Sequence, residues 1–152
     1  MDPFPFYFDG DNYVARISSS GDRLLLGTYL GGGSDESASG IAVDSKRDVI
    51  VVGMTSSSDV PIIGAPPAHG STQQDIYVAK ISGSGDRLLM GRRIGGRGDD
   101  VGVACVLGEQ DEVIVAGTMR SPDFSGAGAL IPTTTVVKVI STWPGSPLST
   151  ST

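Results

Sequence analysis

The sequence predicts an all-β protein, and three observations support this prediction. Short apolar runs alternate with turn signals, and no segment has the i, i+3, i+4 apolar spacing of an amphipathic helix. The 22 glycines lie between the apolar runs rather than in a triplet period, which indicates many turns and not collagen. A long stretch also occurs twice, and an internal repeat determines the architecture before other features do.

The repeated stretch begins at residue 11. Residues 11–32 read DNYVARISSSGDRLLLGTYLGG and residues 75–96 read DIYVAKISGSGDRLLMGRRIGG, with 15 identities in 22 positions. Tyr13 corresponds to Tyr77, and the same offset holds along the whole stretch without a gap. Beyond this stretch, residues 33–60 and 97–124 share only 7 identities in 28 positions, although the apolar pattern persists. The chain is therefore predicted to repeat one structural unit.

Each unit is predicted to consist of strands. The YVARI run alternates as a half-buried strand does, and a leucine-rich run follows the Gly-Asp-Arg turn. The GIAVD and VIVV runs are predicted to be short buried strands. Over the whole chain this pattern predicts nine strands, at 13–17, 24–30, 40–44, 49–55, 76–82, 88–94, 102–107, 113–119 and 135–140.

A third unit begins at Val136, which aligns with Val78 at a shorter offset than the one that joins Tyr13 to Tyr77. The predicted organisation is a lead-in over 1–12, a repeat array over 13–140, and a tail over 141–152. Within the array the units span 11–74, 75–134 and 135–140. The tail is rich in Ser, Thr and Pro, and its low complexity predicts disorder.

Charge and composition exclude several classes of partner. The formal charge of −6 argues against nucleic acid, because phosphate contacts need Lys and Arg. No run approaches the roughly 20 apolar residues of a membrane span. The N-terminus lacks the basic region of a signal peptide, and one cysteine allows no intrachain disulfide, so the compartment stays open.

Acidic residues follow both glycine-rich turns, as Asp35-Glu36 and Asp99-Asp100. Carboxylates with loop carbonyls suit Ca²⁺, so these four are candidate metal ligands and Ca²⁺ is the candidate cofactor. We favour the alternative of a structural turn, in which the side chains cap backbone amides and no cofactor binds. Residues 9–12 (DGDN) resemble the opening of a calcium loop but lack its later glycine and glutamate.

No residue is predicted to be catalytic. His69, the only histidine, lies in a Pro/Gly-rich loop and is predicted to be a surface residue. Cys105 aligns with Ile41 and is predicted to be a small buried hydrophobic residue rather than a nucleophile. Ser84 lies in a turn without a nucleophile elbow. The glycine runs do not open a helix, so a phosphate cradle is not predicted.

Arg92, Arg93 and Arg97 form a local basic cluster in an acidic chain. Three interpretations are open: ion pairs with acids of a neighbouring unit such as Asp35 and Glu36, a site for an acidic ligand, or a solvated strand edge. We favour the strand edge, because charged edges block aggregation.

Two long connections, residues 55–74 and 118–134, are candidate binding loops, because loops of this length in compact domains are often functional. The candidate contact residues in them are Pro61, Ile62, His69, Pro122 and Phe124.

The ordered blocks YVAKIS, SGDRLL, Gly-Gly with nearby acids, GIAVDS and VIVVG resemble the bacterial β-propeller repeat called the SBBP repeat, best over 11–59 and 75–96. The resemblance implies an incomplete β-propeller built from four-stranded antiparallel blades, with the GIAVD-type strand next to the axis. On that phasing the nine strands form an outer half-blade of two strands, one whole blade of four, and a three-stranded blade that lacks its outer strand.

A propeller needs about 4–8 blades to close. The chain is therefore predicted to be part of a larger propeller, to self-associate through its open blade ends, or to be marginally stable. The resemblance further implies a non-enzymatic structural or interaction module, located in the cell envelope or outside the cell. The alternative is a piece of a propeller hydrolase acting on carbohydrates or lactones, with its catalytic residues elsewhere.

Overall fold

A computed structural model of the protein describes residues 10–64, 73–123 and 136–140. These residues form nine strands and no helix, which confirms the all-β prediction. The strands are β1 (Asn12–Ile17), β2 (Leu24–Leu30), β3 (Glu36–Val43), β4 (Val49–Thr55), β5 (Asp75–Ile81), β6 (Leu88–Ile94), β7 (Asp100–Leu107), β8 (Val113–Met119) and β9 (Val136–Ile140).

The strands form three antiparallel sheets. Their orders are β1-β2, β3-β4-β5-β6 and β7-β8-β9, which is the partition into two, four and three strands that the resemblance implies. The middle sheet takes two strands from each repeat unit, because β4 pairs with β5 over seven residue pairs from Val49↔Ile81 to Thr55↔Asp75. A sheet therefore crosses the boundary between units, and a unit does not close on itself.

Irregularities of the backbone recur at the repeat offset. The register shifts between Ala38 and Gly40 in β3 and between Gly102 and Ala104 in β7. Gly21 and Gly85 have φ of 77° and 80°, a left-handed conformation that glycine adopts without a Cβ clash. Because bulges and turns recur together with the strands, the two units have the same local fold and not merely the same composition.

The core consists of two apolar layers, one on each face of the middle sheet. Val51 and Ala79 belong to the layer against the β1-β2 sheet. Ile50 and Val78 belong to the layer against the β7-β8-β9 sheet. Successive residues of β4 and β5 point to opposite faces, so a strand buried on both sides must be apolar throughout. This explains the unbroken VIVV run.

Two strands begin earlier than the sequence predicts. The predictions of 40–44 and 102–107 were wrong at their N-terminal ends, since β3 begins at Glu36 and β7 at Asp100. An acidic residue is a poor strand signal. Here both carboxyl groups accept hydrogen bonds that satisfy them within the sheet end.

The third unit also differs from its sequence alignment. The alignment matches Val136 with Val78, but the structure pairs Val136 with Gly117, and the corresponding Gly53 pairs with Tyr77. In this register Val136 therefore takes the place of Tyr77 and not that of Val78. A slip of one residue exchanges the two faces of a strand, so an alignment over so few residues cannot determine the register.

Tyr77 provides a prediction for alkaline pH. Burial, followed by the negative charge of Glu36, raises the pKa of Tyr77 from 10.0 to about 12. Between these two pKa values, Tyr77 therefore stays protonated in the folded state and is deprotonated in the unfolded state. Stability is fully retained below pH 10 and falls between about pH 10 and 12, by about 2–3 kcal/mol in total.

This prediction is checked by urea unfolding between pH 9 and 12 for the wild type and for Tyr77→Phe, which has no titrating phenol. We expect the alkaline loss of stability to shrink in the variant. Tyr13→Phe is the matched control, because Tyr13 occupies the same repeat position but is exposed. An equal pH dependence for all three proteins would contradict the assignment.

Candidate functional site

The loops at one end of the sheets form the candidate site. They consist of the glycine-rich connections from β2 to β3 and from β6 to β7, and of the segments that follow β4 and β8. We call these connections the loop end. The shorter turns over residues 18–23, 44–48, 82–87 and 108–112 lie at the other ends of the strands.

Side chains of the first unit close its glycine-rich loop. The backbone N–H of Gly32 donates to the Glu36 carboxylate at 2.9 Å. The next two amides, of Gly33 and Ser34, donate to Asp59 Oδ1 at 2.8 Å and to Ser57 Oγ at 2.9 Å. Three successive amides of one loop are thus satisfied by a strand residue and by the segment after β4.

The second unit repeats this network with the corresponding residues. Gly96 N–H donates to Asp100 at 2.9 Å. Arg97 N–H donates to Asp123 at 2.8 Å, and Gly98 N–H to Ser121 Oγ at 2.8 Å. Every donor and acceptor stands at the repeat offset from its counterpart in the first unit. The network is thus a property of the repeat.

In each unit the successive loop amides form a nest whose acceptors are the protein's own side chains. Successive backbone amides that point into one concavity can bind an anion. Here internal oxygens of Glu36, Ser57 and Asp59 already accept from those amides, and the same holds in the second unit. The loop end is therefore held by its own side chains, and the bonds join each β-strand start to the neighbouring long connection.

The acidic pairs separate into two environments. Glu36 and Asp100 are buried, and their carboxylates accept hydrogen bonds from loop amides. Asp35 and Asp99 precede them. Their backbone oxygens accept hydrogen bonds from the amides of Ser56, after β4, and Arg120, after β8. Residue 9 of the DGDN segment lies outside the described residues. Within the part of the chain that the structure describes, no group of three or more His, Cys, Asp or Glu could hold a metal ion.

The structure does not hold the three arginines together. Arg93 is buried, and its Nε lies 2.5 Å from Asp75 Oδ2 in an ion pair. Its guanidinium also donates to the backbone oxygen of Ser57 at 3.1 Å. Arg97 is exposed and pairs with Asp123 at 3.3 Å, and Arg92 is half-buried. The prediction of a solvated edge is wrong for Arg93, because a carboxylate within its own sheet pairs with it in the interior.

Asp75 lies in a strongly electrostatic environment. Burial raises the pKa of its carboxyl above the ordinary value, and the negative charges of Asp100 and Asp99 act in the same direction. Arg93 opposes this shift by its hydrogen bond and its charge. The pair thus holds two charges in a buried position at the start of β5, where removing one partner leaves the other uncompensated.

The first long connection is partly packed and not a free loop. Val60 is buried in the layer between the first two sheets, and Ile62 packs against it. Ile63 forms a bridge with Gly91 on the outer edge of β6, and Pro61 accepts a hydrogen bond from the Tyr77 hydroxyl at 2.7 Å. This segment covers the edge of the middle sheet.

The remaining candidate residues are divided between the loop end, the second core layer and a turn. Pro61 and Pro122 are exposed at the loop end, whereas His69 and Phe124 lie outside the described residues. Cys105 is half-buried against the second core layer, and burial raises the pKa of its thiol. Ser84 donates to Asp86 at 2.5 Å within its turn, as Ser20 does to Asp22 in the first unit.

The loop-end network was missed by sequence reasoning, although the sequence carries a signal for it. The degenerate halves of the units share only 7 identities. Three of these are Asp35/Asp99, Ser57/Ser121 and Asp59/Asp123, all at the loop end. Polar identities that persist in loops whose other residues diverge indicate side chains bound to backbone.

A scan against models of known protein families and a search of curated proteins found no match. Within residues 10–64, 73–123 and 136–140, no helix has the length and the apolar character needed to cross a membrane.

Proposed function

We propose that the chain is a non-catalytic segment of a β-propeller, in which each four-stranded sheet is one blade and stacked blades present their loop end to a partner. The observation that carries this proposal is the repeated loop-end network. Corresponding bonds at a constant offset join each glycine-rich loop to the next long connection, so that the same loop framework is rebuilt in each unit.

The inner strands also support a structural role. Acids that converge on β3 and β7 would favour the hydrolase alternative. The acids that begin these strands, Glu36 and Asp100, instead accept hydrogen bonds from loop amides and are buried. The residues that follow them in β3 and β7 are small or apolar. These carboxylates hold the loop end together, which fits a structural role.

The stacking of the sheets supports the blade interpretation. The two central strands of the middle sheet, β4 and β5, are covered on both faces, and the two core layers contain residues from the sheets before and after it. Repeat proteins gain stability from such interfaces between neighbours. We extend the proposal to a location in the cell envelope or outside the cell, on the resemblance to the bacterial repeat alone.

The proposal is tested by lengthening the array. A second copy of residues 33–96 inserted after residue 96 adds one whole blade, and both junctions preserve the natural order of strands. We expect a higher free energy of unfolding and one cooperative transition in urea, because the added sheet has a neighbour on each face. An insertion of equal length made of Gly and Ser is the control and should give no gain.

A separate second transition, with the first one unchanged, would contradict the proposal, since it would show that a unit folds without its neighbours.

A further inference from the structure

The first and third sheets are incomplete in complementary ways. Among the described residues β1 pairs only with β2, whereas its repeat counterpart β5 pairs with β4 on one edge and β6 on the other. The missing neighbour of β1 is therefore a strand of the β4 type. The structure contains a second strand of this type, β8, in the third sheet.

The face of the first sheet that points away from the middle sheet is open. Tyr13 is 56% exposed and Tyr77 is 3% exposed, although they occupy the same repeat position. Ile17 and Ile81 differ in the same way, with 60% and 3%. A groove of about 430 Å³ runs beside β1 and is lined by residues 13–15 of β1 and 38–41 of β3. The counterparts of Tyr13 and Ile17 in the middle sheet, Tyr77 and Ile81, are covered by the first sheet.

The third sheet has an open face on its other side. Val106 is exposed, whereas its counterpart Ala42 packs against the second core layer. Ile114 is half-buried, and its counterpart Ile50 is fully buried. Among the residues that the structure describes, the first sheet thus has no preceding neighbour and the third sheet has no following one, as two ends of one stack would.

We propose that a second copy of this chain completes both ends, by joining β7-β8 of one copy to β1-β2 of the next in a single four-stranded sheet. Its order, β7-β8-β1-β2, is the order β3-β4-β5-β6 of the middle sheet. This inference rests on the proposed function, since it treats each sheet as a propeller blade. It specifies the partner of the open ends as the chain itself.

The register of the shared sheet follows from the middle sheet. Val51 lies opposite Ala79 there, so Val115 of one copy lies opposite Ala15 of the next. β1 suits this place because it matches β5 at four of the positions: Tyr13, Val14, Ala15 and Ile17.

β9 occupies the edge of β8 within one chain, and it matches that edge less well. Its register places Lys138 opposite Val115, where the middle sheet has Ala79 opposite Val51. Ala79 is fully buried. A lysine is a poor match to a position that a buried alanine fills in the repeat. In the assembly β1 of the next copy takes this edge and β9 leaves it.

Charge also favours the second copy. In the middle sheet Lys80 lies 2.5 Å from Asp44 and 3.5 Å from Asp48. The counterpart of Lys80 in β1 is Arg16, and the counterpart of Asp48 before β8 is Glu112. The shared sheet brings Arg16 of one copy to Glu112 of the other, which reproduces the longer of the two pairs, Lys80–Asp48. The counterpart of Asp44 is Gly108, so the shorter pair is not reproduced.

The shared sheet determines the size of the assembly. Each copy supplies one whole blade and two half-blades, and therefore two blades in total. Closure with about 4–8 blades requires two to four copies. Sedimentation equilibrium of the full 152-residue chain should give a closed species of that size. A stable monomer at 100 µM (roughly the concentration at which weak self-association is seen) would overturn the inference.

The register is tested by disulfide cross-linking in a Cys105→Ala background. One chain carries Ala15→Cys and the other carries Val115→Cys, and the two are mixed, unfolded and refolded together under oxidation. We expect a covalent heterodimer only in the mixture, because the two positions face each other across copies. Replacing Val115→Cys by Ile114→Cys is the control, since this position is out of register by one residue and should cross-link at least about tenfold less.

A charge exchange provides a second measure that does not depend on cysteine. Arg16→Glu should weaken association by about tenfold or more, and adding Glu112→Arg should restore it. Absence of both the heterodimer and the charge rescue, in variants that keep the wild-type circular dichroism, would overturn the inference. The proposed function would survive that result if the lengthened array still gained stability, so the two failures are distinguishable.

Discussion

Replacing Arg93 with alanine is expected to lower the free energy of unfolding by about 3–5 kcal/mol. Arg93 is buried and its Nε lies 2.5 Å from Asp75 Oδ2, which is itself almost fully buried. The variant leaves this carboxylate in the interior without its cation, and it also removes the donor to the Ser57 backbone oxygen. Urea unfolding at pH 7 measures the change.

The repeat provides a matched control for this prediction. Tyr29 occupies the corresponding position of the first unit and is 74% exposed, against 7% for Arg93. Tyr29→Ala should change stability by no more than about 0.5 kcal/mol. The double variant Arg93→Ala with Asp75→Ala should recover part of the loss, because neither charge is then left alone. A loss below about 1 kcal/mol for Arg93→Ala would show that the pair is not buried as described.

Replacing Asp100 with alanine is expected to cost at least about 3 kcal/mol. Its carboxylate accepts from the amides of Gly96, Arg120 and Ser121 at 2.9, 3.0 and 3.2 Å, and from the Ser121 hydroxyl at 2.5 Å. Without this carboxylate the amides of Gly96 and Ser121 lose their acceptor. The Arg120 amide and the Ser121 hydroxyl keep the backbone oxygens of Asp99 and Gly98. Because the bonds join the loop before β7 to the segment after β8, both should become more mobile in amide hydrogen exchange.

Asp99 is the control for Asp100, since it is adjacent in sequence and less deeply embedded. Its side chain accepts one long hydrogen bond of 3.4 Å from the Gln74 amide. Asp99→Ala should cost no more than about 1 kcal/mol. Equal losses for the two variants would contradict the central place of Asp100 in the loop-end network.

The positions of the strands could be predicted from the sequence because they depend on apolar pattern and turn chemistry, whereas the pairing of strands into sheets is implied by the resemblance to the propeller repeat. The VIVV run is apolar on both faces, and it forms a central strand of the middle sheet. The alternation of the YVAKI run is typical of a half-buried strand, but β5 is buried on both faces. The Gly-Asp-Arg turns recur with left-handed glycines, as their residue types allow. Such signals are local, so one sequence contains them.

The positions of the charged residues could not be predicted in the same way. From the sequence, Arg93 is predicted to be an edge residue. Its burial depends on Asp75, which is 18 residues away in sequence. The sequence places Glu36 in a turn. Its position in β3 depends on the hydrogen bonds that its carboxylate accepts from Thr55 and Gly32. These outcomes depend on tertiary partners that no propensity encodes. The register of β9 likewise depends on its pairing with β8.

The middle sheet crosses the boundary between repeat units, because β4 of one unit pairs with β5 of the next. Cross-strand nuclear Overhauser effects in the wild-type protein test it most directly. We expect backbone contacts between Val51 and Ala79 and between Val49 and Ile81, and none between β2 and β3. Contacts between β2 and β3, with none between β4 and β5, would mean that each unit closes on itself and that no sheet crosses the boundary between units.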